Sequence, residues 1–229
     1  MKIFPRKTLQ RFGWLLILSL GWTGEVTASP ALVKQYKCQA CHRLSADQAP
    51  EELSAPDLFY AGDKFQKSWL ERFLQHPEPI RPAGHTRDPG FLKGKPEASA
   101  PHPRLNPGDA RQMADHLGTL KIMKTEKPLD LPALSKGMRV RVKILFERDY
   151  GCIACHQSYN LARQPRGGVS GPSLLDAGNR LRPEWVYQWL TAPKRFVPKG
   201  RMPAYAFDDE TARKMTQYLM SHKKEPVKP

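Results

Sequence analysis

The chain has 229 residues, of which 40% are apolar, and its 37 lysines and arginines outnumber its 22 aspartates and glutamates to give a formal net charge of +15. This length allows one large or two small domains, and the apolar content excludes a fully disordered or collagen-like protein. Nucleic acid, anionic lipid and acidic proteins would all suit so positive a chain, so charge alone does not select a partner.

The first 28 residues have the pattern of a secretory signal peptide. Four basic residues precede an apolar run over residues 13–22, and Val26, Thr27 and Ala28 follow as the small residues that a signal peptidase needs. Because the run is well short of the roughly 20 residues that span a bilayer, we predict cleavage after Ala28, with an uncleaved anchor as the alternative. The mature chain is then expected in the periplasm, without a transmembrane segment, without nucleic acid as a partner, and with a net charge of +12.

All four cysteines fall in two C-x-x-C-H runs, the pattern of covalent haem c attachment. The runs are Cys38, Cys41, His42 and Cys152, Cys155, His156. In each run the cysteines are spaced to form thioethers with the two vinyl groups of one porphyrin, and the histidine becomes the proximal iron ligand. A zinc site needs four convergent ligands, whereas these pairs lie 114 residues apart. The sequence therefore predicts two covalently bound haem c groups with iron.

The chain also repeats itself. Residues 61–65 recur as residues 177–181 at an offset of 116, whereas residues 110–113 recur as residues 212–215 at an offset of 102. The first copy therefore has fourteen additional residues, which lie between Gly84 and the matched residues 110–113. The predicted division is a signal peptide at 1–28, a first domain at 29–124, a linker containing prolines at 125–135 and a second domain at 136–229.

Each copy is expected to be helical. The predicted elements are a short helix before the haem motif, a helix around Trp69 or Trp185, and a closing helix over 109–120 or 208–220 that begins with an aspartate near its cap. No strand alternation is visible. A copy of about 95 residues has little core of its own, so a fixed porphyrin would supply a large apolar body for the helices to pack around.

Both copies resemble class I cytochrome c domains, and residues 30–224 are similar in layout to the dihaem cytochromes c4. The resemblance implies an all-α fold of two tandem class I cytochrome c domains, each around one haem, and electron transfer between redox proteins. It also implies that the carbonyls of Pro56 and Pro172 accept a hydrogen bond from Nδ1 of His42 and His156. Prolines that merely turn the loop fit the sequence equally well.

The expected distal ligands differ between the copies. Met202 lies in the loop before the second closing helix, where class I domains present a methionine sulfur to iron. The corresponding loop of the first copy has no methionine but contains His85 and His102. We prefer His102, which is followed by proline as Met202 is, and keep His85 or an open iron as alternatives.

These ligands predict two unequal reduction potentials. A thioether stabilises ferrous haem relative to a second imidazole, so the first haem should have the lower potential. The predicted function is a periplasmic carrier, not an enzyme, that passes electrons from a His42/His102 haem to a His156/Met202 haem. The alternative is a dihaem enzyme of the cytochrome c peroxidase kind, with an open first haem.

Basic residues are concentrated in the second copy. Residues 126–229 hold 19 basic against 10 acidic side chains, compared with 14 against 11 in residues 29–125. Four basic residues lie within the eight positions before Met202, namely Lys194, Arg195, Lys199 and Arg201. We expect redox protein partners, one of them with an acidic docking surface, and association with a membrane respiratory complex remains open. The inserted loop at 86–105 is open to three interpretations: a lid, a partner contact or a disordered excursion.

Overall fold

The computed structural model describes residue 1 and residues 30–49, 55–86, 88–97, 101–124, 128–198 and 200–224. The expected signal peptide, except for Met1, lies outside the described residues, as do Lys199 and residues 125–127 of the expected linker. Within these ranges the helices are α1 (Pro30–Gln35), α2 (Ala61–Lys64), α3 (Lys67–Gln75), α4 (Pro107–Thr119), α5 (Lys136–Ile144), α6 (Ala177–Arg180), α7 (Pro183–Thr191), α8 (Pro193–Phe196) and α9 (Asp209–Met220). No helix in the described ranges has the length and apolar character of a membrane span.

The two closing helices, α4 and α9, begin with side-chain caps. Asp208 accepts a hydrogen bond from the Thr211 amide at 2.6 Å, which confirms the expected aspartate cap of α9. In α4 the cap is Asn106, which accepts from the Asp109 amide at 2.9 Å, and Pro107 occupies the first helical position. Proline is favoured there because its missing N–H would have no partner in the first turn, so α4 begins before Asp109.

A small antiparallel sheet departs from the expected absence of strands. Strands β1 (Gln157–Tyr159) and β2 (Pro165–Gly167) pair through a turn in which Arg163 adopts a left-handed conformation, with φ of 58°. Strands this short leave no alternation long enough to recognise in the sequence. After the hairpin, the Gly168 amide bonds to the Ile153 carbonyl at 2.8 Å and the Gly171 amide to the Cys155 carbonyl at 2.7 Å. The hairpin thus returns the chain to the second C-x-x-C-H run.

Equivalent contacts form the core of each copy. Helix α3 packs on α4 in the first copy, and α7 packs on α9 in the second. The Gly62 amide donates to the Leu120 carbonyl, and the Gly178 amide donates to the His222 carbonyl, both at 2.8 Å. These bonds hold α2 and α6 against the ends of the closing helices, and their positions follow the sequence offsets of 116 and 102.

The two copies meet at an antiparallel bridge between Phe65 and Leu181, which are equivalent positions of the repeat. Beside it, the Gln66 amide donates to the Arg180 carbonyl at 2.9 Å, and the Arg182 amide donates to the Lys64 carbonyl at 2.9 Å. The two bonds are equivalent under the repeat offset of 116, with the donor in the first copy in one bond and in the second copy in the other. This reciprocity is the pattern of an isologous interface, formed here within one chain.

Tryptophans and cations reinforce the contact between the copies. Tyr60 stacks on Trp185 with ring centroids 4.7 Å apart. Lys64 Nζ lies 5.8 Å from the centroid of the Trp185 ring, and Arg180 Cζ lies 5.9 Å from that of Trp69. Each copy thus places a cation on the tryptophan of the other copy, an arrangement that favours association.

Gly178→Ala should destabilise the protein. An added Cβ would lie 2.1 Å from the Met220 carbonyl oxygen, so α6 and α9 would have to move apart. We expect a loss of about 1–3 kcal/mol in the free energy of unfolding, measured by urea denaturation with circular dichroism. The control is Gly137→Ala in α5, where a Cβ meets nothing within 4 Å and should raise stability by up to about 1 kcal/mol. Equal stabilities of the two variants would contradict the expected clash.

Candidate haem sites

The first C-x-x-C-H run folds as a tight 3-10 turn. Lys37 enters it in the left-handed conformation with φ of 53°, which is uncommon for a residue other than glycine. The amides of Cys41 and His42 both bond to the Cys38 carbonyl, at 3.2 and 2.9 Å. The turn therefore brings the histidine backbone to that of the first cysteine of the run.

The second run has the same backbone geometry. Gly151 enters the turn with φ of 61°, and the amides of Cys155 and His156 bond to the Cys152 carbonyl at 3.2 and 3.0 Å. Burial raises the pKa of the Cys152 thiol to about 11. Among the described residues, no three histidines, cysteines or carboxylates converge as ligands.

Each motif histidine is held by a proline carbonyl. His42 Nδ1 lies 2.6 Å from the Pro56 oxygen, and His156 Nδ1 lies 2.7 Å from the Pro172 oxygen. A carbonyl can only accept, so Nδ1 donates and Nε2 is the atom left to bind a metal. Burial lowers the pKa of both histidines, which favours the neutral form that a ligand requires. The contacts implied by the cytochrome c resemblance are confirmed.

An ion pair that we did not anticipate fixes the first of these contacts. Arg43 binds both carboxylate oxygens of Asp57, at 3.1 and 2.6 Å, and the Leu58 amide bonds to the Arg43 carbonyl at 2.8 Å. Arg43 directly follows His42, and Asp57 directly follows Pro56, so the pair joins the two segments that make the histidine–proline bond. In the sequence, this ion pair could have been inferred from the opposite charges of the residues that directly follow His42 and Pro56.

His102 faces His42 across the first site. Their ring centroids are 6.2 Å apart, with an angle of 64° between the rings. An imidazole nitrogen binds a first-row metal at about 2 Å, so rings at this separation could both hold one iron between them. His102 Nδ1 donates to the Pro103 carbonyl at 2.9 Å, which again leaves Nε2 for a metal.

The two histidines share a pocket with mostly apolar walls. Besides His42, His102 and Cys38, its lining consists of Val33, Leu44, Leu58, Leu74, Pro103, Leu105, Met113 and Leu117. His85, the alternative distal ligand, is not part of this lining. A covalently held haem requires cysteines for thioether bonds, nitrogen ligands for the iron and apolar walls. The lining of this pocket includes one motif cysteine, two histidines and several apolar side chains.

The Met202 loop is held on the aromatic core of the second copy. Trp189 Nε1 lies 2.8 Å from the Met202 sulfur, and the Trp189 ring is stacked against Phe196 at 5.8 Å. The Trp189 indole N–H thus donates to the Met202 thioether. Further along the loop, the Tyr205 hydroxyl donates to the Tyr150 carbonyl at 2.7 Å, close to the second cysteine motif. Both anchors are long-range contacts that local sequence patterns do not reveal.

Comparison with known proteins identifies the first copy. The family model of cytochrome c matches residues 26–121, a range that contains Cys38, Cys41, His42 and His102. No curated protein and no solved structure matches the chain. Residues 26–121 therefore resemble a cytochrome c domain, and this match supports a haem-based electron carrier.

Asp57→Asn should loosen the first site. The change removes the charge that Arg43 pairs with in a largely buried position and should lower the free energy of unfolding by about 1–3 kcal/mol. Thermal and urea denaturation of the haem-loaded protein measure this loss. Asp47→Asn is the matched control, because Asp47 is exposed and accepts only a 3.3 Å hydrogen bond from Ser45. Equal stability of both variants would show that the Arg43 pair contributes nothing.

Proposed function

We propose that the chain is a periplasmic dihaem c-type cytochrome that carries electrons between redox proteins. It consists of two tandem class I domains, at 29–124 and 136–229, behind a signal peptide at 1–28 and joined by a linker at 125–135. The cytochrome c match supports the first domain. For the second, the support is the repeat, the identical cysteine turn and the equivalent bond between His156 and Pro172.

The pairing of His42 with His102 carries the proposal. The two rings face each other at 6.2 Å, each with Nδ1 bonded to a carbonyl and Nε2 available to the iron. An iron with two protein ligands has no open position for peroxide or another substrate. This arrangement favours an electron carrier over a peroxidase-like enzyme with an open first haem.

The unequal distal ligands give the proposed transfer a direction. Bound haem supplies an iron that cycles between ferric and ferrous states, and the chain sets its potential through the axial side chains. The imidazole of His102 stabilises the ferric form, whereas the thioether of Met202 stabilises the ferrous form. Electrons therefore enter at the first domain and leave from the second.

The surface near Met202 suits a negatively charged partner. Lys194, Arg195 and Arg201 are exposed around this loop, and Lys199 belongs to the same stretch of sequence. Basic side chains near a haem edge attract an acidic docking surface and make association dependent on salt. The partner is a redox protein, either free in the periplasm or part of a membrane respiratory complex.

Redox titration of the purified protein should resolve two potentials, with the first haem the lower.

In His102→Ala the first haem should lose its low-spin ferric spectrum and bind carbon monoxide once reduced, because its sixth position is vacated. His85→Ala is the control and should behave as wild type. Two equal potentials, or a first haem that stays low-spin in His102→Ala, would contradict the proposed ligands.

Export and haem content can be tested on the same material. Amino-terminal sequencing of the protein recovered from the periplasm should begin at Ser29, because we expect cleavage after Ala28.

Denatured protein should retain two haems per chain, since thioether bonds survive unfolding, and Cys152→Ala/Cys155→Ala should retain one. One haem per wild-type chain would exclude the dihaem proposal.

A further inference from the structure

The segment before the inserted loop of the first copy pairs with the second copy. The Ala83 amide donates to the Val169 carbonyl at 3.1 Å, and the Ser173 amide donates to the Ile80 carbonyl at 2.7 Å. Residues 169–173 include Pro172, whose carbonyl holds His156. The first copy therefore contacts the loop that positions the proximal histidine of the second site.

The inserted loop is ordered by its own hydrogen bonds. Asp88 Oδ1 accepts from the amides of Gly90 and Glu97, at 2.8 and 2.7 Å, and so closes residues 88–97 into a compact turn. Gly94 adopts φ of 72° and approaches Val169 so closely that an added Cβ would lie 3.1 Å from its side chain. The loop is thus folded against the second copy.

Phe91 is the side chain that this loop turns inward. It is 7% exposed, whereas its neighbour Leu92 is 94% exposed. The Arg201 guanidinium carbon lies 5.1 Å from the centroid of the Phe91 ring. Because Arg201 directly precedes Met202, the loop of the first copy also contacts the distal loop of the second.

Arg201 has no carboxylate partner among the described residues. A second cation, Arg81, lies near it, and the pKa of Arg81 is lowered by burial and by Arg201. The two guanidinium groups repel each other, whereas the π face of Phe91 attracts the Arg201 guanidinium.

We propose that residues 80–86 and 88–97 form a strap through which the first domain holds both ligand loops of the second haem, with Phe91 as the residue that positions Met202. The proposal rests on the proposed function, because it requires Met202 to bind the second iron. The strap fixes the Pro172 loop by backbone hydrogen bonds and the Met202 loop through Arg201. The strap thus belongs to the first domain in sequence but acts on the second site.

The test uses Phe91→Ala in the full-length, haem-loaded protein. Loss of the ring should raise the population of second haem without bound methionine roughly two- to fivefold, the range expected for one exposed cation–π contact. Three readouts report this change: a weaker methionine–iron charge-transfer band, more carbon monoxide bound to the reduced second haem, and a lower second potential. The potential of the first haem should not change.

Two variants separate positioning from general damage to the loop. Leu92→Ala alters the exposed neighbour and should match wild type in all three readouts. Phe91→Trp keeps an aromatic face for Arg201 and should retain the wild-type band. If Phe91→Ala lowers only the free energy of unfolding and leaves all three readouts unchanged, Phe91 is merely structural and the proposal is wrong.

Failure of the strap can be told apart from failure of the proposed function. If Met202→Ala keeps the charge-transfer band, Met202 is not the ligand and the function must be revised first. If Met202→Ala loses the band and Phe91→Ala keeps it, only the strap is overturned. If Phe91→Ala does not incorporate haem, Phe91→Leu is used instead, because leucine retains bulk but has no π face. Wild-type values of all three readouts in Phe91→Leu would also overturn the proposal.

Discussion

The bond from a histidine Nδ1 to a proline carbonyl is the contact on which each site depends. It selects one tautomer, orients the ring and leaves Nε2 as the nitrogen available to a metal. The cysteine turn before the histidine and the loop that carries the proline serve this contact in both copies. In the first copy the ion pair of Arg43 with Asp57 also joins the segment that carries the histidine to the segment that carries the proline.

Duplication explains why the two copies fit each other. A surface that is complementary to itself can pair with its own duplicate, and the reciprocal hydrogen bonds on either side of the bridge between Phe65 and Leu181 follow that logic. The copies differ at the positions of the expected distal ligands. His102 stands on one side and Met202 on the other, and only the first copy contains the inserted loop.

Much of the site could be predicted because its chemistry is local in sequence. The spacing in Cys38, Cys41 and His42 is dictated by one porphyrin, and the following proline was implied by family resemblance. The short hairpin after the second motif was missed because three-residue strands carry no usable periodicity. The hydrogen bond from Trp189 to Met202 was missed for another reason: an indole that donates and an indole that only packs look the same in a sequence.

By itself the sequence determined the repeat, predicted the attachment residues and the mostly helical character, and supplied the set of histidines from which a distal ligand could come. These features depend on residue type and spacing within a few turns of chain. Only the tertiary structure decided that His102, rather than His85, lines the pocket with His42, and that the inserted loop lies on the second copy. Both facts depend on how residues distant in sequence are brought together by the packing of helices, which spacing along the chain does not encode.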